Sequence, residues 1–293
     1  MLSMTSVSIK QHQLAEGPFW CQRSQALYWV DIPGQEVWCW HQSSGLRKSW
    51  RFDQKVSAVF TTQSYRLLLC LADGVAYFDP ETEALEYLCK LDEDRPNNRL
   101  NDAKCDQDGV LYVGSMDDDE TLKTGRLWQV DQTGQKTCLL DDIGISNTLA
   151  WDYSRERFYF ADSMKGEIHA FPWPNFRDVR SDAAFVKTPE GFGPDGSCLD
   201  ADGNLWNAMW GAGKVVCYTP EGMTKHVIDL PFKCPTSCAF GGEKGDILFV
   251  TSASVGEANP ADKPFAGQVI AINLFKTLGI NVSGAPGQAF AGA

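Results

Sequence analysis

The chain has 293 residues, 43% of them hydrophobic and 22% charged, a balance that supplies a sizeable core and excludes a disordered chain. A formal net charge of −12 without any basic stripe excludes nucleic acid as a partner, because phosphate binding needs clustered Lys and Arg to release counterions. No apolar run approaches the roughly 20 residues that span a bilayer, no basic-then-apolar leader opens the chain, and the 10 cysteines follow no C-x-x-C spacing, so the expectation is a soluble cytoplasmic protein with unpaired, buried thiols and no membrane partner.

From the N-terminus, residues 7–14 form a first extended run. A pair of short β-rich runs separated by a turn then recurs: residues 26–32 and 36–40, 65–71 and 74–78, 110–115 and 125–130, 157–163 and 166–171, 204–210 and 213–218, and 246–252 and 267–272. Aromatic and β-branched residues fill these runs. Asp108-Gly109 and Asp202-Gly203 supply the Asp-Gly dipeptides that tight turns need for positive φ. The recurrence, at about 40 to 47 residues, is the period of four-stranded propeller blades and predicts an all-β, six-bladed β-propeller. Helical periodicity is thin; residues 81–91 read equally well as a strand after a turn.

Closing the ring needs a further strand, and residues 7–14 are expected to supply it by pairing with the strand at 269–273. Residues 254–267 read as a long loop inside the last unit. The tail, residues 283–293, is nearly all Gly, Ala, Pro and Gln and is expected to be mobile. The whole chain, residues 1–293, is expected to form one domain.

Nucleophile-elbow, H-E-x-x-H and phosphate-cradling glycine motifs are absent. His12, His41, His169 and His226 are dispersed and read as structural or surface residues. Polar residues instead gather in loops beside strands: Glu16 next to a Gly-Pro turn, the dense run at 95–102, Asn147 ahead of a strand and Asp195 in a tight turn. Taken singly, each is an ordinary turn residue.

Together and in order, these segments resemble the gluconolactonase, regucalcin and luciferin-regenerating enzyme family: A-E-G-P at 15–18, R-L-N-D-A-K at 99–104, G-S-M-D at 114–117, I-S-N at 145–147 and P-D-G at 194–196. The resemblance runs over essentially the whole chain. It implies that Glu16, Asn147 and Asp195 hold one divalent metal in the mouth of the central channel. Two carboxylates and an amide oxygen form a hard, oxygen-only donor set, which calcium, zinc, magnesium and manganese all accept.

The same resemblance implies that Arg99 and Asn101 contact the substrate. An acidic residue after the G-S-M segment should join them; Asp119 aligns best and Asp117 second, while Asp102 is expected to be structural. Ser115 in place of the commoner Thr, and four acids in a row at 117–120, depart from the family pattern and leave the sugar preference open. Asp195 resembles the family's general base. The implied activity is hydrolysis of a sugar-derived lactone, a small-molecule substrate, to the free acid. Two other readings stay open: a calcium-binding regulatory protein with little turnover, and a propeller serving as an interaction platform.

Overall fold

A computed structural model gives the structure of the protein and describes residues 3–259 and 263–292. Its strands form six four-stranded sheets, which arise in order from residues 15–51, 56–90, 98–143, 146–187 and 193–229, and from residues 235–273 together with Met4–Ser6. The expected six-bladed β-propeller is therefore the observed fold, with each blade an antiparallel meander. Burial follows the radius of the ring. The innermost strand Val56–Thr61 is buried throughout, because neighbouring blades cover both of its faces, whereas the outermost strand Leu85–Lys90 is exposed over its first three residues and half-buried over its last three.

The core lies between blades. Phe19, Phe60, Leu68 and Val113 bring the first three blades together. Trp20, Trp29 and Trp38 pack with Phe249 and Val269 at the seam where the last blade meets the first, Trp20 stacking on Phe249 with ring centroids 5.5 Å apart.

Ring closure differs from the expectation. The closing strand is Met4–Ser6, with Met4 opposite Ile272 and Ser6 opposite Ile270; residues 7–14 follow it as an irregular crossing to the first blade. Val7 N–H still reaches Val269 O at 2.8 Å, but the ladder ends there because His12 turns into a buried slot. Trp29 Nε1 donates to His12 Nε2 at 3.1 Å, the ring of Trp38 lies edge-on at 5.4 Å, and the N–H groups of Gln13 and Leu14 donate to Asp31. A regular strand could not satisfy all of these contacts.

The tail also departs from the expectation, over its described residues 283–292. Gly284 bridges to Asp200, Phe290 bridges to Thr62, and Ala291 N–H donates to Gly109 O at 2.9 Å. Phe290 is fully buried with Phe19, Phe60 and Tyr77. Small residues are required because the chain passes so close to the blades: a Cβ on Gly284 would meet the ring of Phe240 at 2.3 Å, and one on Gly287 would meet Phe19 at 2.5 Å. What composition suggests is a mobile segment is a strap anchored at Gly284, Phe290 and Ala291, with Ala285, Gly287 and Gln288 exposed between them.

All ten cysteines are unpaired, as expected. Among the described residues no helix is long and apolar enough to cross a membrane. Residues 260–262 of the expected loop at 254–267 lie outside the described residues.

One irregularity recurs around the ring. Each innermost strand breaks register against its neighbour at the same level: between Glu16 and Phe19, Val56 and Ala58, Leu100 and Ala103, Asn147 and Ala150, Pro194 and Ser197, and Pro235 and Ser237. A bulge inserts an extra residue and re-aims the side chains beside it. Gly17 (φ 54°) and Thr148 (φ 57°) take the left-handed conformation that such a kink uses. Bulges at this level turn polar side chains of the first, third, fourth and fifth blades into one cavity.

Candidate metal and substrate site

A cavity of about 440 Å³ opens at the end of the channel where the innermost strands begin, and Glu16, Arg99, Asn101, Asn147, Ser163 and Asp195 all line it. Five of these six are residues that the sequence singles out; they come from the first, third, fourth and fifth blades. Glu16, Asn147 and Asp195 each sit at or beside a bulge.

Glu16 and Asp195 are buried, at 8% and 7% exposure, and lie close enough for each to perturb the other's charge. Burial, and then the nearby charge of Asp102, push Glu16 up to about 8; burial, and then the charge of Glu16, push Asp195 well above the usual carboxylate range. Among the described residues the only backbone help is from the following residue, Gly17 N–H to Glu16 Oε2 at 2.8 Å and Gly196 N–H to Asp195 Oδ1 at 3.0 Å. Among the described residues no Lys or Arg forms an ion pair with either. Buried carboxylates left in this state are costly, and a cation between them removes the cost. The donor set therefore fits a divalent ion on its own chemistry.

Asn147 is fixed on both sides. Its Nδ2 donates to Ser163 Oγ at 2.9 Å, and its Oδ1 accepts from Asn101 Nδ2 at 3.3 Å. Asn101 in turn accepts from Arg99 Nη1 at 2.7 Å and donates to Ser146 O at 2.9 Å. Arg99, itself buried, also reaches Leu100 O through Nη1 and Asp118 Oδ1 through Nε at 2.8 Å. Lys55, from the second blade, grips both oxygens of Asp118 at 2.6 and 2.7 Å. Only Nη2 of Arg99, with two N–H donors, is left without a partner among the described residues, and Arg99 faces the cavity.

The run at 117–120 is arranged otherwise than the sequence suggests, for neither Asp117 nor Asp119 lines the cavity. Asp117 closes a turn: it accepts from the Thr121 N–H and hydroxyl and the Leu122 N–H, each at 2.9 Å, and from Asn97 Nδ2 at 2.6 Å. These donors, the Thr121 N–H foremost, hold it down at about 2. Asp119 is exposed and accepts from Asn97 at 3.1 Å. The turn, with Glu120 at φ 56°, delivers Asp118 to Arg99 and Glu120 to the cavity wall instead. Sequence reasoning held all four acids of the run as candidates but ranked Asp119 and Asp117 first, and it missed Lys55, Ser163 and Trp210, which also lines the cavity. The four-acid run was a signal for Asp118 and Glu120; Ser163 and Trp210 looked like ordinary strand-end residues.

Asp102 is buried deeper in the channel. Its Oδ1 accepts from Ala103 N–H at 2.9 Å and its Oδ2 has no hydrogen-bond partner. It lines a second cavity of about 160 Å³ together with residues 285–288 of the tail strap.

One group of three His, Asp and Glu donors, His12, Asp31 and Glu36, also lies within 4.8 Å. Most of its atoms are already engaged: His12 Nε2 with Trp29, Asp31 with two backbone N–H groups, and Glu36 with Lys10 Nζ at 2.5 Å and Trp38 Nε1 at 2.8 Å, while His12 Nδ1 has no hydrogen bond and lies 3.4 Å from Asp31 Oδ2. It anchors the N-terminal crossing and does not resemble a vacant ligand set.

The family described as SMP-30/Gluconolactonase/LRE-like region matches residues 14–254. The chain belongs to this family. It is 32% identical to an L-arabinolactonase of Azospirillum brasilense over 90% of each chain, and 30% identical to regucalcin of Gallus gallus over 99% of this chain and 100% of that one. Among solved structures it is similar to a calcium-binding protein, regucalcin, of Agrobacterium tumefaciens, at 27% identity with a TM-score of 0.88 over 99% of this chain and 97% of the other. The SMP-30/gluconolactonase match contains every residue of the cavity named above, whereas the closing strand Met4–Ser6 and the tail strap lie outside it.

Proposed function

We propose that the chain is a divalent-metal-dependent sugar lactonase, which opens a sugar-derived lactone to the free sugar acid. The observation that carries this reading is the pair of neighbouring buried carboxyl groups, Glu16 and Asp195, in no ion pair with a Lys or Arg among the described residues, beside an orientated amide in a cavity open to substrate. The lactonase and regucalcin relatives support it.

Glu16, Asn147 and Asp195 would hold the ion. When bound, a divalent ion supplies Lewis-acid stabilisation of a developing oxyanion and acidifies water. Calcium, zinc, magnesium and manganese all suit these oxygen donors. The protein positions the substrate with Arg99, whose free Nη2 edge donates to ring or hydroxyl oxygens, with Asn101 beside it, and with Trp210, whose ring offers an apolar face to the C–H side of a sugar. Asp195 takes the proton from the attacking water as the water oxygen bonds to the lactone carbonyl carbon; the ring C–O bond then breaks, and the proton goes to the leaving alkoxide. Asp117 and Asp119 have no part in this; Glu120 stands where an acidic substrate contact would be. The ten unpaired thiols fit a reducing compartment, the cytoplasm.

A calcium-binding protein with little turnover is the second reading, favoured by the likeness to regucalcins over almost the whole chain. Metal-stripped protein, assayed on a panel of sugar lactones with single metals added back, separates the two. Turnover that returns with metal supports the first reading, metal binding without turnover supports the second, and the absence of both metal binding and turnover overturns both.

A further inference from the structure

We propose that Ser163 is a positioning residue: it decides which end of the Asn147 amide is offered to the cation, as the last side chain in a one-way hydrogen-bond chain that runs from Arg99 to the carbonyl of Pro194. The proposal rests on the metal reading above. An amide presents an oxygen at one end and an NH2 group at the other, nearly equal in size, and only the oxygen can coordinate a cation. A ligand asparagine therefore needs something that tells its two ends apart.

The chain supplies this from both directions. A guanidinium can only donate, so Arg99 Nη1, 2.7 Å from Asn101 Oδ1, fixes the oxygen of Asn101 on its own side. Asn101 Nδ2 is thereby aimed at Ser146 O and at Asn147 Oδ1, at 2.9 and 3.3 Å. From the far end, a proline carbonyl can only accept. Ser163 Oγ lies 2.6 Å from Pro194 O and so gives its single proton there, which leaves Ser163 able only to accept from Asn147 Nδ2 at 2.9 Å. A flipped Asn147 would set NH2 against NH2 at Asn101 and oxygen against an oxygen with no proton left to give at Ser163. The shorter of its two contacts is the one to Ser163, so Ser163 is the stronger constraint. The chain links the third, fourth and fifth blades, and Pro194 directly precedes Asp195, so the hydroxyl also ties one proposed ligand to the backbone of another.

Ser163 is not needed to hold its own turn. Its N–H donates to Ile145 O at 2.9 Å, and Asp162 caps the short turn Ser163–Lys165 by accepting from Met164 N–H. Removing the hydroxyl should leave the fold intact.

The test is calorimetric titration of calcium, and separately of manganese, into metal-stripped protein, with the metal-free melting midpoint as the check on folding. Ser163→Ala should weaken binding about 10-fold or more, the usual size for losing a partner that orients a ligand, with the metal-free midpoint unchanged; Ser163→Thr, which keeps the hydroxyl, should restore binding. Asn101→Asp, which removes the donor at the other end, should weaken it in the same sense. The decisive comparison uses Asn147→Asp, where both ends of the side chain are oxygen and a flip no longer matters: in that background Ser163→Ala should change affinity by no more than about two-fold, the range of independent sites. An equal loss in both backgrounds, or no loss in either, overturns the proposal. Asn147→Ala separates the two levels of the argument: unchanged metal affinity sinks the metal site itself, whereas a loss in Asn147→Ala with none in Ser163→Ala sinks only the role given to Ser163.

Discussion

At one end of the channel Glu16 and Asp195 lie buried side by side, where burial makes their ionised forms costly; at the other the tail strap bridges several blades and buries Phe290 among Phe19, Phe60 and Tyr77. The same bulged inner strands build both ends. The mouth concentrates electrostatic stress, which the proposed cation would relieve, while the far end concentrates close apolar packing, which needs no ligand. Function and stability are thereby separated along the axis of the ring, and substitutions at the two ends should behave in opposite ways.

The largest effect is expected at the mouth. Asp195→Asn should lower lactone hydrolysis at saturating metal by about 10²- to 10⁴-fold, the usual contribution of a positioned base. The same variant should melt no lower than wild type in chelator, because one of two buried, mutually repelling carboxylates is gone. At the far end Phe290→Ala should do the reverse. It removes a fully buried ring and should cost about 3–5 kcal/mol of stability by denaturant unfolding, with metal affinity kept within about two-fold. If both variants lose stability and activity together, the two ends are not separate.

A smaller effect tests the support around the mouth. Asp118→Asn frees the Arg99 guanidinium from its partly exposed carboxylate, so KM should rise by up to about five-fold with kcat nearly unchanged; a fall in kcat alone would place Arg99 in the chemical step. The smallest effect is the response to pH without metal. Glu16 titrates near 8 in the folded protein against an ordinary 4.5, so its contribution to stability is complete below 4.5 and is lost as pH rises through about 8. The decline of the metal-free melting midpoint over that window should be steeper in wild type than in Glu16→Gln, and saturating divalent ion should abolish the difference.

The blades were legible because each repeats one hairpin pattern, with turns and β-rich runs at a fixed spacing. Short-range pattern could not locate the closing strand: residues 7–14 look as extended as Met4–Ser6, and they make only scattered bonds to the last blade while His12 turns in to pack edge-on against the stacked rings of Trp29 and Trp38. In the tail, Gly and Ala mark mobility in a loose chain and close approach in a packed one. Composition does not distinguish the two; Phe290, the lone large side chain, was the available hint.

Within the site, Glu16, Arg99, Asn101, Asn147 and Asp195 came from motif order, and the structure brings all five to one cavity. The acid run failed because a left-handed residue at Glu120 sets which of four neighbouring carboxylates faces inward, a property of backbone geometry and not of spacing. Ser163 and Lys55 were invisible because each acts through another side chain contributed by a distant part of the sequence.

The most direct test of the account is lactone turnover by wild-type protein stripped of metal and then supplied with single divalent ions. The account predicts that enzymatic hydrolysis disappears on stripping, returns with at least one of calcium, zinc, magnesium or manganese, and fails to return in Glu16→Gln at the metal concentration that restores wild type. Undiminished hydrolysis by the stripped protein would contradict it.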